Sequence, residues 1–149
     1  GLPVPEREAR WTVVELIARG VFGDAFAERR RRRRIETMRD HVIICGVGRV
    51  GRAAAAEIVG SSRPIVVVDI KAPTAEWAAE AGVEFVHGDG TEDDELIRAG
   101  IETAYALVAC ADSDEKNVFI TLSARAQRPD LVIVARASAA GAATLAIQM

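Results

Sequence analysis

Three glycines, Gly46, Gly48 and Gly51, are the residues whose type and spacing most clearly indicate chemistry. They follow a short apolar run, Val42 to Cys45, and precede a run of small residues typical of a helix. In a strand–loop–helix unit the first glycine allows a tight turn, the second lets a phosphate approach the backbone, and the third lets helix and strand pack closely. The helix N-terminus adds unpaired N–H groups and the positive end of the helix dipole. The pattern therefore predicts a loop that binds phosphate groups.

An acidic residue lies where the partner of such a loop is expected. Ile65 to Asp69 is an apolar, β-branched run typical of a buried parallel strand, and its last residue lies 18 positions after Gly51 (69 − 51). A carboxylate about 20 residues beyond the glycines is where ribose hydroxyls are held, and it would repel a 2′-phosphate. Asp69 therefore favours NAD or an adenine nucleotide over NADP. The alternative interpretation is a solvated acid at a strand end.

The same strand–helix unit repeats along the chain. Further strands are predicted at Glu84 to His87, Tyr105 to Cys110 and Leu131 to Ala135, with helices between them. This alternation predicts a doubly wound α/β domain with a parallel sheet in the order 3-2-1-4-5, and a ligand beyond the carboxyl ends of the strands. The two cysteines, Cys45 and Cys110, would end neighbouring strands as buried thiols, because there is no cysteine framework to suggest disulfides.

Residues 1–40 differ in charge from the rest of the chain. They hold 10 Lys+Arg against 7 Asp+Glu, a net +3, and include six consecutive arginines, Arg29 to Arg34. Residues 41–149 hold 9 against 15, a net −6, which gives the total of −3. We therefore expect a helical, polybasic linker over 1–40 and a folded domain over 41–149. The linker lacks the roughly 20 apolar residues that cross a bilayer.

The arginine run has three interpretations. It could be a solvated helix, a contact for anionic lipid, or a contact for nucleic acid. The acidic domain carries no aromatic-rich basic face, which argues against nucleic acid.

Taken together, the motifs resemble the RCK domain (regulator of conductance of potassium, also called the TrkA N-terminal domain). The resemblance extends from about Arg29 to Ala137. It is carried by the basic entry into the glycine loop and by three later motifs: His87-Gly-Asp-Gly-Thr91, Ala109-x-x-Asp112-x-Asp114-x-x-Asn117 and Val134-Ala-Arg-Ala137. It implies a Rossmann-like fold and a regulatory ligand, NAD(H) or ATP/ADP.

The resemblance also implies partners and a location. The domain would form a homodimer or a ring of dimers and act on a potassium-channel pore or on the membrane subunit of a transporter. It would lie in the cytoplasm at the inner face of the cell membrane, with Arg29 to Arg34 near anionic lipid.

Ligand-binding residues follow from the resemblance as well. The glycines and the amides of Arg49 and Val50 would hold phosphates, Asp69 the ribose, and Asp89 with Thr91 the adenine or distal side. No metal ligand is expected. The full predicted set is Gly46, Val47, Gly48, Arg49, Val50, Gly51, Asp69, Ile70, Lys71, Gly88, Asp89, Gly90, Thr91, Ala109 and Cys110.

The chain departs from the family pattern at both ends. No pore helices precede Arg29, and residues 138–149 lack the Gly-Ala-Asp strand into which the family continues. A sixth strand is therefore expected to be missing.

Two function classes compete: a ligand-operated regulator, and the cofactor domain of an NAD-dependent oxidoreductase. The enzyme needs an acid or base in a substrate pocket. The single tyrosine, Tyr105, has no lysine near it, and structural roles are expected for His41 and His87. We therefore predict a regulator without catalytic residues. The predicted helix from Ser113 to Gln127 has too many apolar positions for one face, so Phe119 or Leu122 would face a partner subunit.

Overall fold

The computed structural model describes Val14, Gly23, residues 25–139 and residues 142–147. The chain forms two compact units, Gly1–Arg34 and Ile35–Met149. Residues 25–37 are helical (α1), and Arg31 there forms a 3.1 Å ion pair with Glu28. Within the described part of the chain, no helix is long and apolar enough to cross a membrane. Most of the predicted 1–40 linker lies outside the described residues.

A six-stranded sheet forms the centre of the second unit. Its order is β3-β2-β1-β4-β5-β6. The first five strands are parallel, so the predicted order 3-2-1-4-5 is confirmed. The strands are β1 (Val42–Cys45), β2 (Ile65–Asp69), β3 (Glu84–His87), β4 (Ala106–Ala109), β5 (Val132–Ala139) and β6 (Ala142–Ile147). Every residue of β1 and β2 is buried, as expected where helices cover both faces of a parallel sheet.

The sixth strand corrects the sequence-based expectation that none is present. β6 pairs antiparallel with β5, with Ala135 opposite Ala146. The expectation was wrong because it considered only the strand with which the family continues. An antiparallel return needs a connection of only two residues, whereas a parallel one needs a crossover of a dozen or more. Only two residues separate the end of β5 from the start of β6 in the sequence.

Helices cover the two faces of the sheet. α2 (Arg49–Gly60) and α3 (Thr74–Ala81) pack on one face, and α4 (Asp93–Arg98) and α5 (Asp114–Gln127) pack on the other. Alternate residues of a strand point to opposite faces. Ile43 accordingly joins the core under α4 and α5, while Ile44 joins the core under α2 and α3. Because the first five strands are parallel, the loops that follow them lie together at the carboxyl edge of the sheet.

Candidate ligand site at the carboxyl ends of the strands

A cavity of about 420 Å³ opens at this edge, which is within the range of small-molecule sites. It brings together all the predicted site residues except Gly51 and Ala109. The described residues that line it are Cys45, Gly46, Val47, Gly48, Arg49, Val50, Val68, Asp69, Ile70, Lys71, Gly88, Asp89, Gly90, Thr91, Cys110, Ala111, Asp112, Lys116, Ile120 and Arg136.

The turn after β1 depends on two glycines. Gly46 has φ of +91°, and a Cβ there would lie 2.6 Å from the backbone nitrogen of Ala111. A Cβ on Gly51 would collide with the carbonyl oxygen of Gly46. Gly51 is thus buried against the turn rather than exposed to the cavity, and it contributes the close packing of α2. Only glycine fits either position without a shift of the backbone.

The first turn of α2 faces the cavity without any side-chain cap. Gly48 is the N-cap residue, and there is no acidic residue in the first turn. Nothing lies within 4 Å of the place where a Cβ on Gly48 would be. Helix geometry leaves the first N–H groups without intrahelical partners. These amides and the helix dipole are therefore available to an anion.

Asp69 is buried beneath the same loop and holds it in place. Its Oδ2 accepts a hydrogen bond from the Val47 amide, and its Oδ1 accepts one from the Lys71 amide, both at 2.9 Å. The side chain also lines the cavity. Because each carboxylate oxygen can accept two hydrogen bonds, both keep capacity for a ligand hydroxyl. The sequence predicted that Asp69 binds the ligand. Its hydrogen bonds to the loops after β1 and β2 became visible only in the structure.

The loop after β3 forms the next wall of the cavity. Asp89 Oδ1 accepts hydrogen bonds from the Thr91 amide at 2.9 Å and from Thr91 Oγ1 at 2.8 Å. A Cβ on Gly90 would lie 3.1 Å from Cys45 Sγ, so the loop backbone packs directly on this thiol. His87 Nε2 lies 3.0 Å from the carbonyl oxygen of Ile70 and links this loop to the turn after β2.

The end of β4 places Cys110, rather than Ala109, on the cavity. Ala109 is fully buried in the core beneath α4 and α5, because successive residues of a strand face opposite sides. The Cys110 amide donates to the carbonyl oxygen of Cys45 at 2.7 Å. Both cysteines are free and buried, and burial raises the pKa of each thiol. They are therefore neutral thiols at physiological pH.

Sequence reasoning missed the wall formed by α5 and β5. Lys116 Nζ lies 3.2 Å from Asp112 Oδ1, and this hydrogen-bonded pair lowers the pKa of the Asp112 carboxyl. Arg136 lies in β5, beyond the predicted end of that strand. The pair of Asp112 and Lys116 could have been found from the sequence, because the family motif from Ala109 to Asn117 contains both residues. Arg136 was likewise part of a family motif, Val134-Ala-Arg-Ala137, but the predicted site included no residue beyond the end of the fourth strand.

Asn117 fastens this wall to the sheet. Its side chain is buried, and Oδ1 accepts from the Ala111 amide at 2.7 Å. Nδ2 donates to the carbonyl oxygens of Ala111 at 3.3 Å and Arg136 at 3.0 Å. One amide group therefore joins the loop after β4, the start of α5 and the strand β5.

Charges around the cavity suit a ligand with both phosphates and sugar hydroxyls. Four cationic side chains and three carboxylates line it: Arg49, Lys71, Lys116 and Arg136 against Asp69, Asp89 and Asp112. In the described part of the chain, no group of three or more His, Cys, Asp or Glu is placed to hold a metal ion.

The groups considered as catalysts lie elsewhere. His41 is buried before β1, with Nε2 2.9 Å from the carbonyl oxygen of Ala99, and burial lowers its pKa. Tyr105 is half exposed, with the Arg63 guanidinium 3.8 Å above its ring. Neither is among the residues that line the cavity.

Comparison with known proteins gives one family and several relatives. The family model described as TrkA-N domain matches residues 42–149. The chain is 38% identical over 127 residues to Potassium channel protein 1 of Methanocaldococcus jannaschii, covering 84% of this chain and 38% of that protein. It is 31% identical to Probable potassium channel protein 2 of the same organism, covering 84% and 37%. The chain thus spans less than two fifths of these relatives.

Solved structures show the same fold. The TrkA-N domain of the inner membrane protein YbaL from Escherichia coli matches with a TM-score of 0.61 at 29% identity, covering 66% of this chain and 73% of that chain. The AMP-bound Kef C-terminal domain of Shewanella denitrificans matches with a TM-score of 0.54 at 27% identity, covering 65% and 58%. The GsuK channel bound to NAD matches with a TM-score of 0.61 at 23% identity, covering 83% and 23%.

Proposed function

Because this chain belongs to the TrkA-N domain family, we propose that it binds NAD(H) or an adenine nucleotide and thereby gates potassium transport. One observation carries the proposal. The uncapped start of α2 and the carboxylate of Asp69 line the same cavity, so N–H donors for phosphate and an oxygen acceptor for sugar hydroxyls face one ligand.

The parts of a nucleotide find matching groups in the cavity. Phosphates would contact the amides of Arg49 and Val50, with the Arg49 side chain as an added cation. Ribose hydroxyls would donate to Asp69. The adenine would lie against Ile70, a residue that is 55% exposed, and against the loop from Gly88 to Thr91. AMP in the Kef relative and NAD in the GsuK relative support this class of ligand.

Regulation would act through oligomers of the domain. Val118, Phe119 and Leu122 of α5 are exposed and lie on neighbouring helical positions. We infer that this apolar surface pairs two subunits, and that dimers assemble into a ring. A ligand that binds one conformation of the ring more tightly shifts it toward that conformation. Coupling of about 1–3 kcal/mol per site is typical of such systems.

The partner would be a potassium-channel pore or the membrane subunit of a transporter. The named relatives are potassium channel proteins, and this chain covers only part of them. Residues 1–40 would link that membrane part to the domain of residues 41–149 at the inner face of the cell membrane. The exposed arginines of α1 would lie near anionic lipid there.

The competing function, an oxidoreductase cofactor domain, finds no support in the cavity. Hydride transfer to a substrate needs a group that moves a proton. The groups considered for that role, the single tyrosine and the two histidines, are not among the described residues that line the cavity, and the named relatives are potassium channel proteins. We therefore propose a regulatory rather than catalytic role.

Calorimetry of the full chain against AMP, ADP, ATP, NAD+ and NADH tests the proposal. We expect saturable binding of at least one of these ligands at one site per chain. GTP serves as the matched control for ATP, because it carries the same three phosphates on a different base. No heat of binding with any adenine nucleotide would contradict the proposed function.

A further inference from the structure

Building on the proposed gating function, we infer that the 3-10 turn Ile101–Thr103 holds the end of the N-terminal linker, residues 35–40, and that Thr103 and Arg128 are its positioning residues. The turn would join α5 to the linker, so that a movement of α5 reaches residues 35–40.

The last residues of the expected linker belong to the same compact unit as the sheet. The boundary between the two units falls between Arg34 and Ile35. Ile35 is 4% exposed and is part of the core under α4 and α5, against which Met38 also packs. The Met38 amide donates to the carbonyl oxygen of Ile35 at 3.0 Å. Residues 35–40 would therefore move with the sheet.

Thr103 connects the 3-10 turn to these residues by two hydrogen bonds. Its Oγ1 donates to the carbonyl oxygen of Met38 at 2.8 Å, across 65 positions of the sequence. Its carbonyl oxygen accepts from the Asp40 amide at 2.9 Å. The turn therefore binds the chain on both sides of Arg39, once through a side chain and once through the backbone.

Asp40 has a backbone conformation that its surroundings must fix. Its φ is +57°, in the left-handed region that residues other than glycine rarely adopt. Arg63 Nη1 donates to the carbonyl oxygen of Asp40 at 2.9 Å, and the same guanidinium lies 3.8 Å from the centre of the Tyr105 ring. Such conformations persist only where several contacts hold them. The contacts of Thr103 and Arg63 therefore hold the chain in one conformation where it enters β1.

The 3-10 turn lies directly against the end of the linker. Gly100 precedes the turn with φ of +80°, and a Cβ there would lie 2.9 Å from His41 Nε2 and 3.6 Å from Ile35 Cγ2. His41 Nε2 also lies 2.9 Å from the carbonyl oxygen of Ala99. Packing at this density leaves no room for the two parts to move separately.

Arg128 connects the same turn to the end of α5. It is the C-cap residue of that helix, and its amide donates to the carbonyl oxygen of Ala124 at 2.8 Å. Its Nη1 donates to the carbonyl oxygens of Ile101 at 2.7 Å and Glu102 at 2.8 Å. Its Nε forms a 3.0 Å ion pair with Asp130, and the planar guanidinium fixes the directions of all these bonds. A movement of α5 would therefore reach the turn through Arg128 and the linker through Thr103.

Amide hydrogen exchange of the full chain, followed by NMR without any ligand, tests the inference. Thr103→Val keeps the shape of the side chain but removes the hydroxyl, so exchange at the Asp40 amide should become about fivefold faster or more. Thr103→Ser keeps the hydroxyl and should restore slow exchange. The Gly46 amide, which donates to the carbonyl oxygen of Val68 at 2.9 Å, is the internal reference. The effect at Asp40 is the change in excess of any change at Gly46.

Arg128→Met tests the connection to α5. Exchange at Asp40 should become about threefold faster or more, because the turn loses the donor that joins it to the helix. Arg52→Met removes the same charge from α2, where the guanidinium lies 5.3 Å from the centre of the Trp77 ring, and should leave Asp40 unchanged. Thermal melting shows that each variant is folded.

Two results would overturn the inference. Equal exchange at Asp40 in Thr103→Val and Thr103→Ser would mean that the hydroxyl does not hold the linker. Exchange at Asp40 that is unchanged in Arg128→Met would mean that α5 is not connected to it. Absence of nucleotide binding in calorimetry would instead overturn the proposed function and leave this contact intact, because the exchange is measured without ligand.

Discussion

The helices α2 and α5 begin at the same edge of the sheet, one after β1 and the other after β4, but their N-termini are built in opposite ways. α2 starts at Gly48 with no side-chain cap and no acid in its first turn. α5 starts at Ser113, which caps the helix, and carries Asp114 and Glu115 in its first turn. The same fold element therefore has either an open N-terminus or a capped one, depending on whether its own side chains satisfy the first amides.

The largest effect on stability is expected where the loop after β1 contacts the loop after β4. Gly46→Val forces a branched side chain into positive φ and onto the backbone of Ala111. We expect a loss of about 2–5 kcal/mol in the free energy of unfolding, from backbone strain and overpacking together. Urea unfolding measures it, with Gly60→Val as a control at a glycine with open space around it. Equal stability of the two variants would mean that the interlocking of these loops is not important.

Closing the open helix start should abolish binding without unfolding the chain. Gly48→Val fills the space above the first turn of α2, where a Cβ meets no protein atom. The melting temperature without ligand should change little. At a ligand concentration of 100 times the Kd of the unmodified chain, the stabilisation of about 2.7 kcal/mol should vanish. A persistent rise in melting temperature on adding ATP or NAD+ would place the phosphates away from α2.

Removing the carboxylate beneath the open loop should affect both binding and stability. Asp69→Ala deletes a charged acceptor, so adenine-nucleotide binding should weaken by about 1.5–3 kcal/mol. The buried Val47 amide also loses its partner, which should lower the free energy of unfolding by about 1–3 kcal/mol. Calorimetry and urea unfolding separate the two effects. Affinity equal to that of the unmodified chain would refute the ribose assignment.

Removing the cap of the closed helix should affect stability alone. Ser113→Ala deletes the hydrogen bond to the Lys116 amide, at a cost of about 0.5–2 kcal/mol. AMP affinity should stay within about twofold, because the cap lies outside the described cavity lining. A loss of AMP binding comparable to that of Gly48→Val would show that the two helix starts do not have separate roles.

The outer face of α5 should show the smallest effect on stability. Phe119 is 54% exposed, so Phe119→Asp should change the free energy of unfolding of the subunit by about 0.5 kcal/mol or less. If the exposed apolar surface joins two subunits, the variant should sediment as a monomer while the unmodified chain sediments as a dimer. Glu115→Gln, which changes the charge of the same helix by one unit, is the control. A monomeric unmodified chain at high micromolar concentration would count against the proposed ring.

The sequence predicted the elements whose signals are local. The glycine spacing, the carboxylate at the end of β2 and the apolar runs were sufficient for the strand order and for most of the cavity lining. It did not predict β6, because its short apolar run resembles a tail unless the antiparallel return is known. It placed Ala109 at the cavity because the side to which a strand residue points depends on exactly where the strand ends. Lys116 and Arg136 were missed because they belong to different elements, which only the packed fold brings to one cavity.

The close approach of Gly46 to Ala111 has a mechanical consequence. There is no gap between the loop after β1 and the loop after β4, since a Cβ on Gly46 would lie 2.6 Å from the Ala111 nitrogen. Ala111 is in turn tied by two hydrogen bonds to Asn117, which is two positions before Phe119 on α5. Close-packed contacts transmit displacement instead of absorbing it. A shift of the loop after β1 would therefore displace the start of α5, and with it the exposed apolar surface formed by Val118, Phe119 and Leu122.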